Sequence, residues 1–175
     1  MTIFDHQCAF CDEVAVVAVA GIGDSRSLID VKKSLCLNDD DDHPFQNALI
    51  RDARFLASEM DGQLIIHLRF LKAVRVKSLK IKAPASCGPE TMRFYCNLPS
   101  TPDFGQVMAM TSVQDVQLKA KQLADGDEVT IPLKAPEFLN LQSLLIFVEN
   151  NQGGEDVTQV DHMILLGLPL PYPLT

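Results

Sequence analysis

The chain has 175 residues and a formal net charge of −8, from 15 Lys and Arg against 23 Asp and Glu. This balance argues against general nucleic-acid binding, which needs local positive charge, and no apolar run reaches the roughly 18 residues of a membrane helix. The 47% hydrophobic and 22% charged shares are those of a globular domain. We expect one folded, monomeric domain with neither a nucleic-acid nor a membrane partner.

The N-terminal segment, residues 1–24, is rich in small residues and is interpreted as a peripheral leader. It contains Cys8-Ala-Phe-Cys11, which has the spacing of a redox pair or of half a zinc site. Asp12 and Glu13 follow directly, and acidic neighbours raise a thiol pKa rather than lower it. We therefore expect no metal, no cofactor and no catalytic role here, although redox or metal chemistry of this pair stays an open alternative.

The number of cysteines is odd, because Cys36, Cys87 and Cys96 complete a set of five. A domain of this size folds without disulfide bridges, so the set does not indicate a secreted disulfide scaffold. We expect an intracellular protein in a reducing compartment, the cytoplasm and/or the nucleus.

The next segment predicts a short helix over residues 27–36. Leu28, Val31 and Leu35 fall on one face at helical spacing, with Asp30 and Lys33 directed away. Four consecutive aspartates, residues 39–42, then predict a solvated loop, since like charges repel one another.

From residue 63 onward the pattern is that of β-strands. Residues 63–70 alternate as in a half-buried strand, and residues 74–82 alternate with a slip in phase near Ser78 that predicts a β-bulge. Further strands are predicted at 91–97, at 129–133 with Pro132 favouring an edge, at 141–148 as a central strand, and at 160–166. The prolines of the tail, residues 169–175, end regular structure.

Several short strands joined by Gly, Pro and Asn turns predict an all-β fold, an antiparallel sandwich or jelly roll. No catalytic constellation accompanies them: the sequence has no Gly-x-Ser-x-Gly elbow, and His67 and His162 lie in strands without ligands at metal spacing. We therefore predict that the protein is not an enzyme.

One stretch is basic within the acidic chain. Between Asp61 and Glu90 there is no acidic residue, and strand phase directs five cations away from the core: Arg69, Arg75, Lys77, Lys80 and Lys82. Such a face can simply be solvated and protect a strand edge. It can also dock electrostatically on an acidic protein partner, and these five residues are our candidates for such an interaction site.

Four segments together resemble a known family. They are Cys36-Leu-Asn38, Leu56-Ala-Ser-Glu-Met-Asp-Gly-Gln-Leu-Ile65, Gly88-Pro-Glu-Thr-Met-Arg-Phe-Tyr-Cys-Asn97, and Phe138-Leu-Asn-Leu-Gln-Ser-Leu-Leu-Ile-Phe-Val-Glu-Asn-Asn-Gln-Gly-Gly154. They are similar to motifs of the PITH domain, a proteasome-interacting module. The resemblance implies a galactose-binding-like β-sandwich jelly roll over residues 25–168. It also implies association with the regulatory particle of the 26S proteasome, and no catalytic activity.

A second function stays open beside this one. Jelly rolls of this type often bind small ligands such as glycans in the loops at one end, which is an analogy of fold alone. A glycan site usually needs an aromatic platform, and the chain has no Trp and only two tyrosines.

Overall fold

The structure is a computed structural model that describes residues 27–50 and 52–170. Its strands are β1 (Leu35–Leu37), β2 (Leu56–Ala57), β3 (Leu64–Lys82), β4 (Thr91–Cys96), β5 (Gln114–Gln117), β6 (Val129–Pro132), β7 (Leu141–Val148), β8 (Gln159–Val160) and β9 (His162–Pro169). Two short helices, α1 (Phe104–Ala109) and α2 (Ala120–Leu123), and 3₁₀ turns at Phe45–Leu49, Ala124–Gly126 and Pro136–Leu139 connect them. In this part of the chain, no helix has the length and apolar character needed to cross a membrane.

One long strand, β3, belongs to both layers of an antiparallel sandwich. Its first half, residues 64–69, lies in a sheet of order β1-β3-β7-β4-β5. Its second half, residues 74–82, lies between β6 and β9. The pairing register breaks between Arg69 and Val74, which marks the corner where the strand turns from one layer to the other. The predicted all-β antiparallel sandwich is confirmed.

The main core fills the space between the two layers. Leu64, Ile66 and Leu68 of the first half of β3 face Val76 and Leu79 of the second half, and all five are almost fully buried. Inward residues of β4, β6, β7 and β9 complete this cluster. The alternation of residues in the sequence therefore correctly predicted which side chains face the core in both halves of β3.

A second, smaller cluster covers the other face of the five-stranded sheet. Ile65, Leu145 and Phe147 are fully buried there beneath a segment that includes Leu98, Phe104 and Val107. The prediction of a half-buried strand at residues 63–70 was therefore wrong, because α1 and its flanking loop cover its second face. The central strand predicted at 141–148 is buried on both faces, as expected.

The helix predicted for residues 27–36 is also wrong. Ile29 bridges to Phe70, residues 31–33 form a turn, and Leu35 begins β1. The backbone of this segment pairs with the corner of β3: Asp30 N donates to Arg69 O at 2.7 Å. Ten residues are too few for a helix to form without tertiary support, and a neighbouring strand offers the same backbone groups better partners.

The bulge predicted near Ser78 is confirmed, since the register of β3 against β9 shifts between Val76 and Ser78. This extra residue lets Val76 and Leu79 both point inward. Pro132 lies in β6, which pairs only with β3 among the described strands, so its predicted edge position is confirmed as well.

Both ends of the described chain attach to the corner of β3. Leu71 N donates to Leu28 O at 2.8 Å, and Leu170 N donates to Ala73 O at 2.9 Å. Pro169 pairs with Val74 and so extends the last strand beyond its predicted end. The leader at residues 1–24 and the last five residues of the tail lie outside the described residues.

Candidate interaction surfaces

Four of the five predicted cations share one surface, the outer face of the β6-β3-β9 layer. Arg75 and Lys77 are exposed and lie before the bulge, while Lys80 and Lys82 are half-buried and follow it. The bulge keeps all four in phase, because without it Leu79 would point outward. We call Arg75, Lys77, Lys80 and Lys82 the basic face.

Arg69 does not belong to the basic face. It lies before the corner of β3, on the same side of the five-stranded sheet as Ile65 and His67, where its Nη2 donates to Pro99 O at 3.3 Å. The corner at residues 70–73 separates it from the other cations. Sequence phase alone could not show this, because it does not reveal where a long strand changes layer.

Acidic residues from other elements adjoin one edge of the basic face. Lys82 lines a depression of about 160 Å³ together with Asp52, Glu128, Asp161 and His162. The Nδ1 atom of the buried His162 lies 3.9 Å from Glu128 Oε1. Carboxylates therefore partly offset the charge of Lys82 at this edge of the basic face.

The opposite end of the sandwich from the corner of β3 is formed by four loops, residues 38–43, 58–63, 84–90 and 150–158. We call this surface the loop end. Backbone hydrogen bonds join the loops directly: Glu59 N donates to Asn38 O at 2.8 Å, and Gln152 N donates to Gly88 O at 2.9 Å. Each of the four segments that carry the family resemblance therefore contributes residues to the loop end.

Side chains of the loop end form a continuous network. Asn38 has a positive φ of 72°, a conformation that asparagine tolerates better than most residues. Its Nδ2 donates to Gln63 O at 2.7 Å and to Asp61 Oδ1 at 2.9 Å. On the other side, Thr158 Oγ1 donates to Gly62 O at 2.6 Å and accepts from Asn151 Nδ2 at 3.1 Å.

The four adjacent aspartates are more structured than a solvated loop. Asp41 and Asp42 are exposed, as predicted. Asp39 instead accepts from Phe45 N at 3.0 Å, and partial burial raises the pKa of its carboxyl group. In the described part of the chain, no group of three or more His, Cys, Asp or Glu side chains is arranged to hold a metal ion.

Two of the three described cysteines, Cys36 and Cys96, are unsuited to redox chemistry. Burial, with a smaller contribution from Glu137, raises the pKa of the Cys96 thiol to about 12. Burial, and then the charge of Asp39, also raises the pKa of Cys36 well above its usual value. Both thiols stay protonated at neutral pH and so are poor nucleophiles. Cys8 and Cys11 lie outside the described residues.

The loop end contains a recess of about 390 Å³ that a small ligand could enter. It is lined by Ser86, Cys87, Glu155, Asp156, Val157 and Gln159. None of these side chains is aromatic, so the recess lacks the platform on which sugar rings usually stack. The geometry gives no specific support to the glycan alternative.

Comparisons with known proteins agree with this architecture. A family model described as "PITH domain" matches residues 19–171. The chain is 31% identical over 156 residues to "Thioredoxin-like protein 1" of Schizosaccharomyces pombe, covering 87% of this chain and 53% of that protein. It is 24% identical over 123 residues to "PITH domain-containing protein P35G2.02" of the same yeast, covering 69% of this chain and 58% of the relative.

Two solved structures show the same fold at low sequence identity. CBM32-3 from a family 31 glycoside hydrolase of Clostridium perfringens matches with a TM-score of 0.60 and 14% identity, covering 80% of this chain and 94% of that one. The family 32 CBM of C. perfringens NanJ, in complex with galactose, has a TM-score of 0.57 and 11% identity, covering 76% and 91%. These likenesses concern the jelly-roll fold. The chain spans only a little over half the length of its two yeast relatives.

Proposed function

The chain belongs to the PITH-domain family, and on that premise we propose that it is a non-enzymatic module that associates with the regulatory particle of the 26S proteasome. The family match, which spans all of the described residues, is the observation that carries the proposal. The PITH-domain family is not a known enzyme family. We further propose that the protein acts in the cytoplasm or the nucleus, where proteasomes are found.

The basic face is the surface that we propose for this contact. Arg75 is exposed on a strand of the sheet, so no loop has to become ordered when its side chain contacts a partner. A cationic face on a chain of net charge −8 orients the molecule toward an acidic partner. Contacts of this kind chiefly accelerate association and weaken as salt is added.

Affinity purification of the tagged full chain from its own cells tests the proposal. At low salt we expect the wild-type protein to recover regulatory-particle subunits, and Arg75→Glu with Lys80→Glu to recover about tenfold less. A matched control reverses two exposed lysines elsewhere, Lys119→Glu with Lys121→Glu, and should behave like wild type. If the wild-type protein recovers no proteasome subunits at low salt, proteasome association is wrong for this chain. If both double variants lose binding equally, the basic face is not the contact.

A further inference from the structure

Met60 is an apolar side chain that the fold holds out in water. It is 84% exposed, against 62% for Leu71, the next most exposed large apolar side chain in the described part of the chain. It occupies the tip of the turn between β2 and β3, in the loop end. An isolated exposed methionine would need no explanation, but the rigidity of this turn sets it apart.

One side of the turn is fixed by Asn38. Asn38 Oδ1 accepts from the Met60 backbone N–H at 3.0 Å, while its Nδ2 donates to Gln63 O and Asp61 Oδ1. The Asp61 carboxylate also accepts from Gln63 N at 3.0 Å. The backbone around Met60 is therefore tied to a neighbouring loop on both sides of the exposed residue.

The other side of the turn is fixed by Thr158 and Asn151. A Cβ atom on Gly62 would lie 2.9 Å from Asn151 Nδ2 and 3.2 Å from Thr158 Oγ1, so these side chains close tightly over the glycine. Thr158 N donates to Ser58 Oγ at 2.8 Å, at the start of the same turn. Since the turn is already ordered, its backbone loses little conformational entropy when a partner binds Met60.

The surroundings of Met60 define the charge of such a partner. Glu59 and Asp61 flank it and are exposed, as are Glu155 and Asp156 in the adjoining loop. The four loops of the loop end contain no lysine or arginine. Val157, 41% exposed, adds a second apolar side chain to the same end. An apolar tip flanked by carboxylates complements an apolar socket with a basic rim.

We propose that the loop end is a second docking surface, on which Met60 enters an apolar socket of a protein partner whose rim carries lysine or arginine. A flexible, polarizable methionine adapts well to such a socket. This surface is distinct from the basic face, and the proposal does not depend on proteasome association. The molecule then presents two contact surfaces of opposite charge.

Site-specific photo-crosslinking tests the proposal even while the identity of the partner is open. A diazirine amino acid is placed at position 60 of the full chain in its own cells, and in a control at position 108, where Met108 is 44% exposed on α1. Mass spectrometry then maps the crosslinked residue in the partner. We expect one recurrent protein, crosslinked from position 60 but not from 108, in a segment where apolar residues are bordered by Lys or Arg.

Binding measurements on the purified partner complete the test. Met60→Ala should weaken binding by about 10- to 30-fold, as truncation of an interface hot spot does, whereas Met108→Ala should change it by less than about twofold. Glu59→Lys with Asp156→Lys should weaken binding most at low salt. The proposal is overturned if position 60 yields no discrete crosslink, if the crosslink maps to an acidic segment or to a second copy of this chain, or if Met60→Ala binds like wild type.

Discussion

At the scale of single residues, His67 is an ionisable group placed where a charge is costly. It is 1% exposed, its Nδ1 lies 2.7 Å from Thr101 Oγ1, and its Nε2 has no hydrogen-bond partner among the described residues. Burial, with a smaller contribution from the charge of Arg69, lowers the pKa of His67 from 6.5 to about 4. The folded protein therefore keeps this imidazole neutral under mildly acidic conditions in which a solvated histidine would be charged.

This shift predicts acid sensitivity of the fold. As the pH falls from 6.5 toward 4, the unfolded chain takes up a proton at His67 and the folded chain does not, so the free energy of unfolding falls. The linkage relation allows a loss of up to about 3 kcal/mol over this range. In urea titrations between pH 7 and pH 4, His67→Gln should lose less stability than wild type.

Thr101→Val provides the control for this measurement, because it removes the hydroxyl partner and keeps the buried imidazole. It should therefore retain the pH dependence of the wild-type protein. Parallel stability profiles for wild type and His67→Gln across this range would show that His67 does not titrate as its burial implies.

At the scale of elements, the bulged pairing of β3 with β9 determines which side chains form the basic face. Gly167 of β9 lies opposite Val76, directly before the register shift. A Cβ atom at this position would overlap the carbonyl oxygen of Arg75. Glycine is therefore needed here for close approach of two backbones, rather than for a turn.

We expect Gly167→Ala to separate β9 from β3 locally and to destabilise the fold by about 3 kcal/mol or more. For a domain of this size, that corresponds to a fall in the melting temperature of roughly 10 °C. Gly105→Ala is the matched control, because its Cβ has space in α1 and should change stability by less than about 1 kcal/mol. Scanning calorimetry measures the melting temperature of each variant. Equal melting temperatures would contradict the overlap of a Cβ at position 167 with the backbone of Arg75.

The sequence predicted those elements whose pattern is local, and it missed those that depend on contacts from elsewhere. The bulge at Ser78 and the edge position of Pro132 could be predicted because each depends on the residues of its own strand. The cover over Ile65 was not, since a loop more than thirty residues away supplies it. Likewise, each family motif could be recognised in the sequence, but only the folded structure shows that Asn38 of one motif donates a hydrogen bond to Asp61 of another.

At the scale of the whole molecule, the net charge of −8 conceals two surfaces of opposite charge. The basic face lies on the outer side of one layer, and the carboxylates of the loop end lie on the connections at one end. The sequence indicated this polarity from the run of cations between Asp61 and Glu90. It did not indicate that Arg69 stands apart, or that acidic residues adjoin Lys82.

The sharing of β3 between both layers predicts that the two sheets unfold together. Opening either layer would expose the core that lies between them, so amides such as Ile66 and Leu79, one in each half of β3, should exchange with the same free energy. Native-state hydrogen exchange measures this. The amide of Val107 in α1 should exchange earlier, through local opening. Lower protection of Leu79 than of Ile66 would show that the layers open separately.

The corner of β3 has a topological consequence for anything covalently joined to this domain. The described chain enters beside Leu71 and leaves beside Ala73, so its two ends lie close together at the corner of β3. Both described ends of the chain therefore lie on the side of the domain opposite Met60. Chain that continues from residues 27 and 170 therefore leaves the domain away from the loop end, so the loop end can stay accessible to a partner.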